Sequence, residues 1–229
     1  RWGGNPAPAY QGWRNSDTNF RLTADTRGDD GLSGANGQNN VSRVNFRSDF
    51  HPSGADEIQF RFGGLNIDSG KGVQGQVGGP WRDFAFDSNY LQFDWRRNLS
   101  ANADLALKLS HSQEAYKDEF PYSLTNLSPV AYSPSDIYTV RASGQSSSDE
   151  LSVQYTSRLG PDMRSVIGAE LRSERIRSPG LYNTDVTFAT DFSRLFGNLE
   201  WRASDKLLVN AGAMAEQDSV SGRTLAPRL

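Results

Sequence analysis

His51 and His111 are the only two imidazoles in this 229-residue chain, and it contains no cysteine. A zinc site needs three or four nitrogen, sulfur or carboxylate ligands brought to one point. His51 falls in a Pro-Ser-Gly turn and His111 near the opposite end of an alternating segment, so no shared metal site is expected and each reads as a solvated or interfacial residue. Asp68-Ser-Gly70-Lys71-Gly72 has the composition of a phosphate loop. Its glycines are wrongly spaced, and Gly72 stands where a hydroxyl would have to hold magnesium. No Gly-x-Ser-x-Gly elbow is present. Carboxylates such as Asp94 and Glu170 alternate with apolar residues instead of forming a pair recognisable by spacing. Adjacent Asp29 and Asp30 offer a divalent cation too few fixed ligands. Arg27-Gly28-Asp29 runs into the Gly/Asp-rich stretch that follows and reads as flexible loop, and the sequons at Asn98 and Asn126 carry meaning only in a glycosylating secretory pathway. Neither an enzyme nor a cofactor is expected.

The chemistry that remains is binding. Trp81, Arg82, Tyr116, Phe120, Tyr122, Tyr132, Arg177 and Tyr182 fall in long connections rich in Gly, Asn, Ser and Pro. Aromatic faces pack planar aryl groups and arginines pair with anions, so these residues are candidates for a ligand vestibule. The same composition serves equally to pack loops onto one another or to form an outer aromatic girdle.

The elements that must position these loops are strands. Apolar and polar residues alternate near 16–28, 40–50, 56–66, 88–97, 102–113, 149–159, 163–175, 190–202 and 206–217, nine segments in all. The connections between them alternate in length. Residues 51–55, 99–101, 160–162 and 203–205 are tight turns, whereas 29–39, 67–87, 114–148 and 176–189 are long. Short turns on one side and long loops on the other predict an antiparallel up-and-down transmembrane β-barrel wall. Residues 137–142 also alternate, but counting them as a crossing would put the later short turns on the wrong side. They are therefore expected inside the 114–148 loop, in a strand pair projecting above the membrane.

Composition agrees with this architecture. Lys and Arg number 24 against 27 Asp and Glu, a balance that offers no footprint for nucleic acid. No run of about 18 apolar residues exists, which excludes a membrane-spanning helix but not spanning strands with every second residue apolar. The inward set would line a lumen: Arg61, Gln92, Asp94, Lys108, Gln154, Glu170, Arg172 and Glu200.

One segment occurs twice. Residues 91–109 reappear in altered form at 197–213, each copy a strand ending in Trp-Arg, a tight polar turn and a returning strand. Trp95 and Trp201 take the last outward position before a short turn, where an amphipathic indole suits a lipid headgroup girdle. The second copy continues through Gly212-Ala-Met-Ala-Glu216 to Pro227-Arg228. This closing stretch resembles the barrel of TonB-dependent outer-membrane receptors. The resemblance extends over the chain as strand pattern, with its specific residues in about the last forty. It implies a closed barrel of about 22 strands, of which residues 1–229 would supply a partial barrel domain without the plug or the TonB-contacting box. It further implies a bacterial outer-membrane location and contact with outer-membrane lipid. The implied function is energised uptake of a ferric siderophore or similar metal chelate, with the receptor's own plug and TonB as partners. A passive porin and a soluble all-β carbohydrate-binding module remain open as alternatives.

Overall fold

The computed structural model describes residues 9–15, 17–32, 35–73 and 79–228. The predicted strand at 16–28 and the loops at 29–39 and 67–87 therefore include positions outside the described residues. Among those described, the chain forms one antiparallel sheet. Its strands are β1 (Ala9–Asn15), β2 (Thr18–Asp29), β3 (Asn39–Phe50), β4 (Asp56–Lys71), β5 (Arg82–Ser100), β6 (Ala103–Ser123), β7 (Ile137–Arg141), β8 (Gly144–Arg158), β9 (Met163–Arg177), β10 (Phe188–Ser204), β11 (Leu207–Asp218) and β12 (Gly222–Arg228). A single helical turn, α1 (Pro179–Tyr182), separates β9 from β10. The spatial order follows the sequence, except that β7 pairs only with the far end of β6. That placement matches the expected projecting strand pair. Eleven strands thus make the wall, two more than expected.

Successive side chains of a strand point to opposite faces, so registered neighbours define rows across the sheet. One row reads Phe20, Ser48, Phe60, Phe93, Leu109, Leu151, Leu171. The next row toward the short turns reads Ile58, Trp95, Leu107, Val153, Ala169, Leu195, Ala215, Leu225. The opposite face reads Asn19, Asp49, Gln59, Asp94, Lys108, Ser152, Glu170, Arg194, Glu216. The apolar face is not covered by protein: Leu171 is 54% exposed, Ile167 59% and Leu195 65%. A chain this size folding in water would bury such rows against a second layer. Here Phe192 is the only buried large hydrophobe among the described residues, and it lies on the polar face.

On the apolar face of β2–β4 the rings of Phe20, Phe46, Phe50, Phe60 and Phe62 form a continuous set of aromatic contacts with centroids 5.0–6.5 Å apart. Ser48 lies beneath them, fully buried, between Phe20 and Phe60 in register. A larger residue there would displace the rings.

The duplicated segment yields a duplicated hairpin. Ser100 pairs with Ala103 and Ser204 with Leu207 across two-residue loops, and in each case the ladder slips by one residue just before the serine. The two serine hydroxyls accept from the N–H of Asn102 at 3.2 Å and of Lys206 at 3.4 Å. A bulge followed by a side chain–capped tight turn thus closes both copies. The turns at Pro52, Ser100, Pro161 and Ser204 all follow odd-numbered crossings of the wall and share one rim.

The opposite rim differs from the reading of pattern alone in two ways. Much of the 67–87 and 114–148 loops is strand, because β4, β5 and β6 run on together well past the apolar rows. The β11–β12 connection on this rim is short: the Asp218 carboxylate accepts from the N–H groups of Val220 and Ser221 at 2.6 and 3.1 Å, and Gly222 takes φ of +88°. Only a residue without Cβ adopts that conformation freely.

Candidate ligand-binding site at the long-loop rim

All eight residues expected to line a lumen, Arg61, Gln92, Asp94, Lys108, Gln154, Glu170, Arg172 and Glu200, fall on the polar face by strand alternation and register. There several of them are paired, some across strands and some along one strand. Lys108 donates to Glu150 at 2.8 Å, and Arg194 reaches Glu170 and Glu216, one on each neighbouring strand, at 3.4 Å. Gln92 donates to Asp94 at 2.8 Å. Arg172 and Arg194 flank the Phe192 ring, with guanidinium carbons 4.8 and 4.9 Å from its centroid. Toward the short turns, Glu200 pairs in register with Arg164. Pairs directly opposite on a sheet reinforce its register. This face is therefore a polar surface whose charges are mostly neutralised in place.

Toward the long-loop rim the polar face becomes aromatic and cationic. Its alternation continues along β5 as Tyr90, Ser88, Phe86, Phe84 and Arg82, and along β6 as Tyr116, Asp118, Phe120 and Tyr122. Arg82 grips Asp118 with two nitrogens at 2.6 and 3.2 Å, and its guanidinium lies 4.1 Å from the Phe120 centroid. Lys71, registered opposite Arg82, places Nζ 3.4 Å above the Phe84 ring and 3.9 Å from Asp118. Two cations thus share one buried carboxylate over two aromatic platforms.

Neighbouring loops brace this cluster. The Asn36 side-chain amide donates to the carbonyls of Lys71 and Arg82 at 3.2 and 2.7 Å, fastening the β2–β3 connection onto β4 and β5. Tyr116 places its hydroxyl 3.3 Å from Ser178, whose own hydroxyl donates to the Ser143 carbonyl at 3.0 Å. Lower on β4, Gly63 leaves room for the Tyr90 ring, which lies against its α-carbon while the phenol donates to Asn45 at 3.2 Å.

Of the eight predicted loop residues, the fold therefore brings Arg82, Tyr116, Phe120 and Tyr122 together on one face. Tyr122 pairs with Tyr138 across the projecting hairpin. Trp81 sits just before β5 and is 50% exposed, and Tyr132 is exposed in the β6–β7 connection. Arg177 and Tyr182 are engaged within the β9–β10 connection: Arg177 pairs with Asp185 at 2.7 Å, and Tyr182 packs edge-on to Phe188 at 4.9 Å. Phe84 and Asp118 do not stand out in the sequence, and Lys71 does so only within the rejected phosphate-loop segment. The signal was the continuing alternation of 116, 118, 120 and 122, masked by Pro121.

The two indoles take equivalent places on the other face. Trp95 registers with Ile58 and Leu107, and Trp201 with Met163 and Val209, both close to the short-turn rim. Trp95 donates to Asp56 at 3.1 Å, while Trp201 is 47% exposed. Among the described residues no group of three or more His, Asp and Glu side chains converges on a point that would hold a metal ion.

No protein-family model matches the chain, and no curated protein sequence does. Solved structures do. The siderophore receptor PirA from Pseudomonas aeruginosa aligns over 93% of this chain with a TM-score of 0.64 at 9% identity. The ferric-catecholate import receptor Fiu from E. coli K12, in its closed form, aligns over 97% with the same score and identity. A mutant of the ferric enterobactin receptor PfeA from Pseudomonas aeruginosa aligns over 93% with a score of 0.66, again at 9% identity. The chain spans 33%, 43% and 36% of those three receptor chains. At such identity the likeness is one of fold: the sheet has the antiparallel up-and-down architecture of part of the β-barrel in these receptor structures.

Proposed function

We propose that residues 1–229 form part of the barrel domain of a TonB-dependent receptor in a bacterial outer membrane, which takes up a ferric siderophore or a similar anionic metal chelate. The observation that carries the ligand class is the Lys71–Arg82–Asp118 cluster on its Phe84 and Phe120 platforms. Its excess of one positive charge suits an anion, and its rings suit the flat aryl groups of a catecholate. Its position at the rim where the long connections gather suits first capture. The apolar face supports contact with lipid, since rows of exposed leucine and phenylalanine are costly in water and favourable in a bilayer. The same rows weigh against a soluble carbohydrate-binding module. In this role the polar face would meet the receptor's plug, and TonB would act through that plug.

Replacing Trp81, Arg82, Tyr116 and Tyr122 together by alanine is expected to weaken binding of a ferric catecholate to whole cells by at least about tenfold, the scale of losing one aromatic or arginine hot spot. Surface levels of the barrel should stay normal. Equilibrium binding of radiolabelled chelate to cells matched for surface protein checks this. Unchanged affinity for every chelate the parent cells import would remove the rim from ligand capture.

A further inference from the structure

Three arginines stand in one row of the polar face. Arg21 of β2 pairs in register with Arg47 of β3, and Arg47 with Arg61 of β4. Like charges set directly opposite one another weaken a sheet unless something compensates them. Elsewhere on this face the compensation is built in: Lys108 meets Glu150, Arg43 meets Asp25, and Arg194 meets Glu170 and Glu216. In the arginine row only the middle member is matched. Arg47 donates to both oxygens of Asp49 at 3.0–3.1 Å, and Gln59 donates to the same carboxylate. Arg21 and Arg61 form no ion pair among the described residues, and Arg61 Nε is buried with no hydrogen-bond partner there. The next row toward the long loops, Thr23, Asn45 and Gly63, carries no charge that could serve them.

The surroundings sharpen this imbalance. The other face of the same three strands carries the Phe20, Phe46, Phe60 and Phe62 rings, so the guanidiniums have an apolar wall behind them. Such a wall strengthens their repulsion and directs their field toward the lumen. The two unmatched guanidiniums belong to strands two spacings apart, roughly 10 Å at about 4.8 Å each, with the neutral Arg47–Asp49 pair between them. One small oxyanion is too short to serve both. A polypeptide is not: side chains on one face of an extended segment recur about every 7 Å, within reach of two flexible arginine stems.

We propose that Arg21 and Arg61 are the seat of an acidic polypeptide segment lying in the lumen, each guanidinium taking one Asp or Glu carboxylate of that segment. The inference rests on the reading above in which the polar face meets the receptor's plug. It adds the chemistry of that contact and its place, on β2 to β4 behind the phenylalanine cluster.

The test is zero-length crosslinking of the full-length, detergent-purified receptor carrying Arg61→Lys. A water-soluble carbodiimide activates carboxylates, which then form an amide with an amine in contact. Arginine does not couple, so the substitution keeps the charge and supplies the reactive group. Lys108 and Glu150, 2.8 Å apart, couple within the same molecule and calibrate the reaction. Peptide mass mapping is expected to join position 61 to an Asp or Glu outside residues 1–229. Arg21→Lys should give a second link to the same segment, and it provides an independent reading if Arg61→Lys does not assemble. Coupling of position 61 only to Asp49 or Asp94, or none there while Lys108 couples to Glu150, would overturn the proposal. So would a link lost in sulfate but kept in sodium chloride of equal ionic strength, which would assign the arginines to a small oxyanion. Failure of the underlying receptor reading has a different signature: a protein that stays monodisperse when detergent is withdrawn.

Discussion

Ile167→Arg is expected to destabilise the assembled barrel by about 2–4 kcal/mol, the cost of a guanidinium at the bilayer midplane of a β-barrel. Ile167 is 59% exposed. It lies on the apolar face, midway between the Met163–Trp201 row and the Leu171–Ser193 row. In a protein folded in water, an arginine at so exposed a position would change stability by no more than about 0.5 kcal/mol. The substitution therefore separates lipid from water as the medium of that face. Asn198→Arg is the matched control, being exposed on the polar face of the neighbouring strand, and should change stability by less than about 1 kcal/mol. Urea unfolding of both variants in lipid vesicles provides the comparison. Equal effects for the two would mean that the faces are not in different media.

The second large effect is expected at the rim. Side chains of Arg82 and Asp118 are only 17% and 12% exposed, and they share two charge-assisted hydrogen bonds. Arg82→Ala and Asp118→Ala should each loosen the upper parts of β5 and β6 by about 2 kcal/mol. Their effects should be non-additive by about 1.5–3 kcal/mol, as for hydrogen-bonded charges in one network. Amide exchange along Glu119–Ser123 and Ile137–Arg141, the paired strands of the projecting hairpin, reports the loosening. The two partners should differ in their effect on an anionic ligand. Arg82→Ala removes a cation and should reduce retention, whereas Asp118→Asn leaves Lys71 and Arg82 uncompensated and should increase it. Additive effects on exchange, or the same direction of change in retention, would show that the cluster does not act as a charged unit.

The alternation that specifies this wall is legible in single residues. Leu105, Leu107 and Leu109 alternating with Ala106, Lys108 and Ser110 leave only one way to place β6, because a one-residue slip would turn the whole leucine set to the other face. The tight turns were equally legible, since Ser100 and Ser204 carry local turn chemistry. The outermost strands were not. β12 holds one large apolar residue, Leu225, and includes Pro227, which gives up a ladder hydrogen bond and ordinarily marks an edge strand or a break. β1 is short and interrupted by Gly12. Gly63, Gly64 and Gly70 in β4, and Pro121 in β6, concealed how far those strands extend. The rim cluster was only half legible for the same reason. Arg82 and Phe120 stand out by type, but the role of Lys71 and Asp118 follows from a register that sets 71 opposite 82 and 118 opposite 84, bringing Lys71, Arg82 and Asp118 within reach of one another across three strands. Such register is a long-range property, and local pattern does not contain it.

The absence of cysteine makes the most direct test of the central claim straightforward. Single cysteines placed in turn at positions 105 to 110, spin-labelled and reconstituted into lipid vesicles, report collision with dissolved oxygen and with a water-soluble nickel chelate. If the wall is embedded with its apolar face to lipid, oxygen accessibility will peak at Leu105, Leu107 and Leu109 and nickel accessibility at Ala106, Lys108 and Ser110, with a period of two. Nickel accessibility that is high at all six positions, or highest at the three leucines, would contradict a membrane-spanning wall.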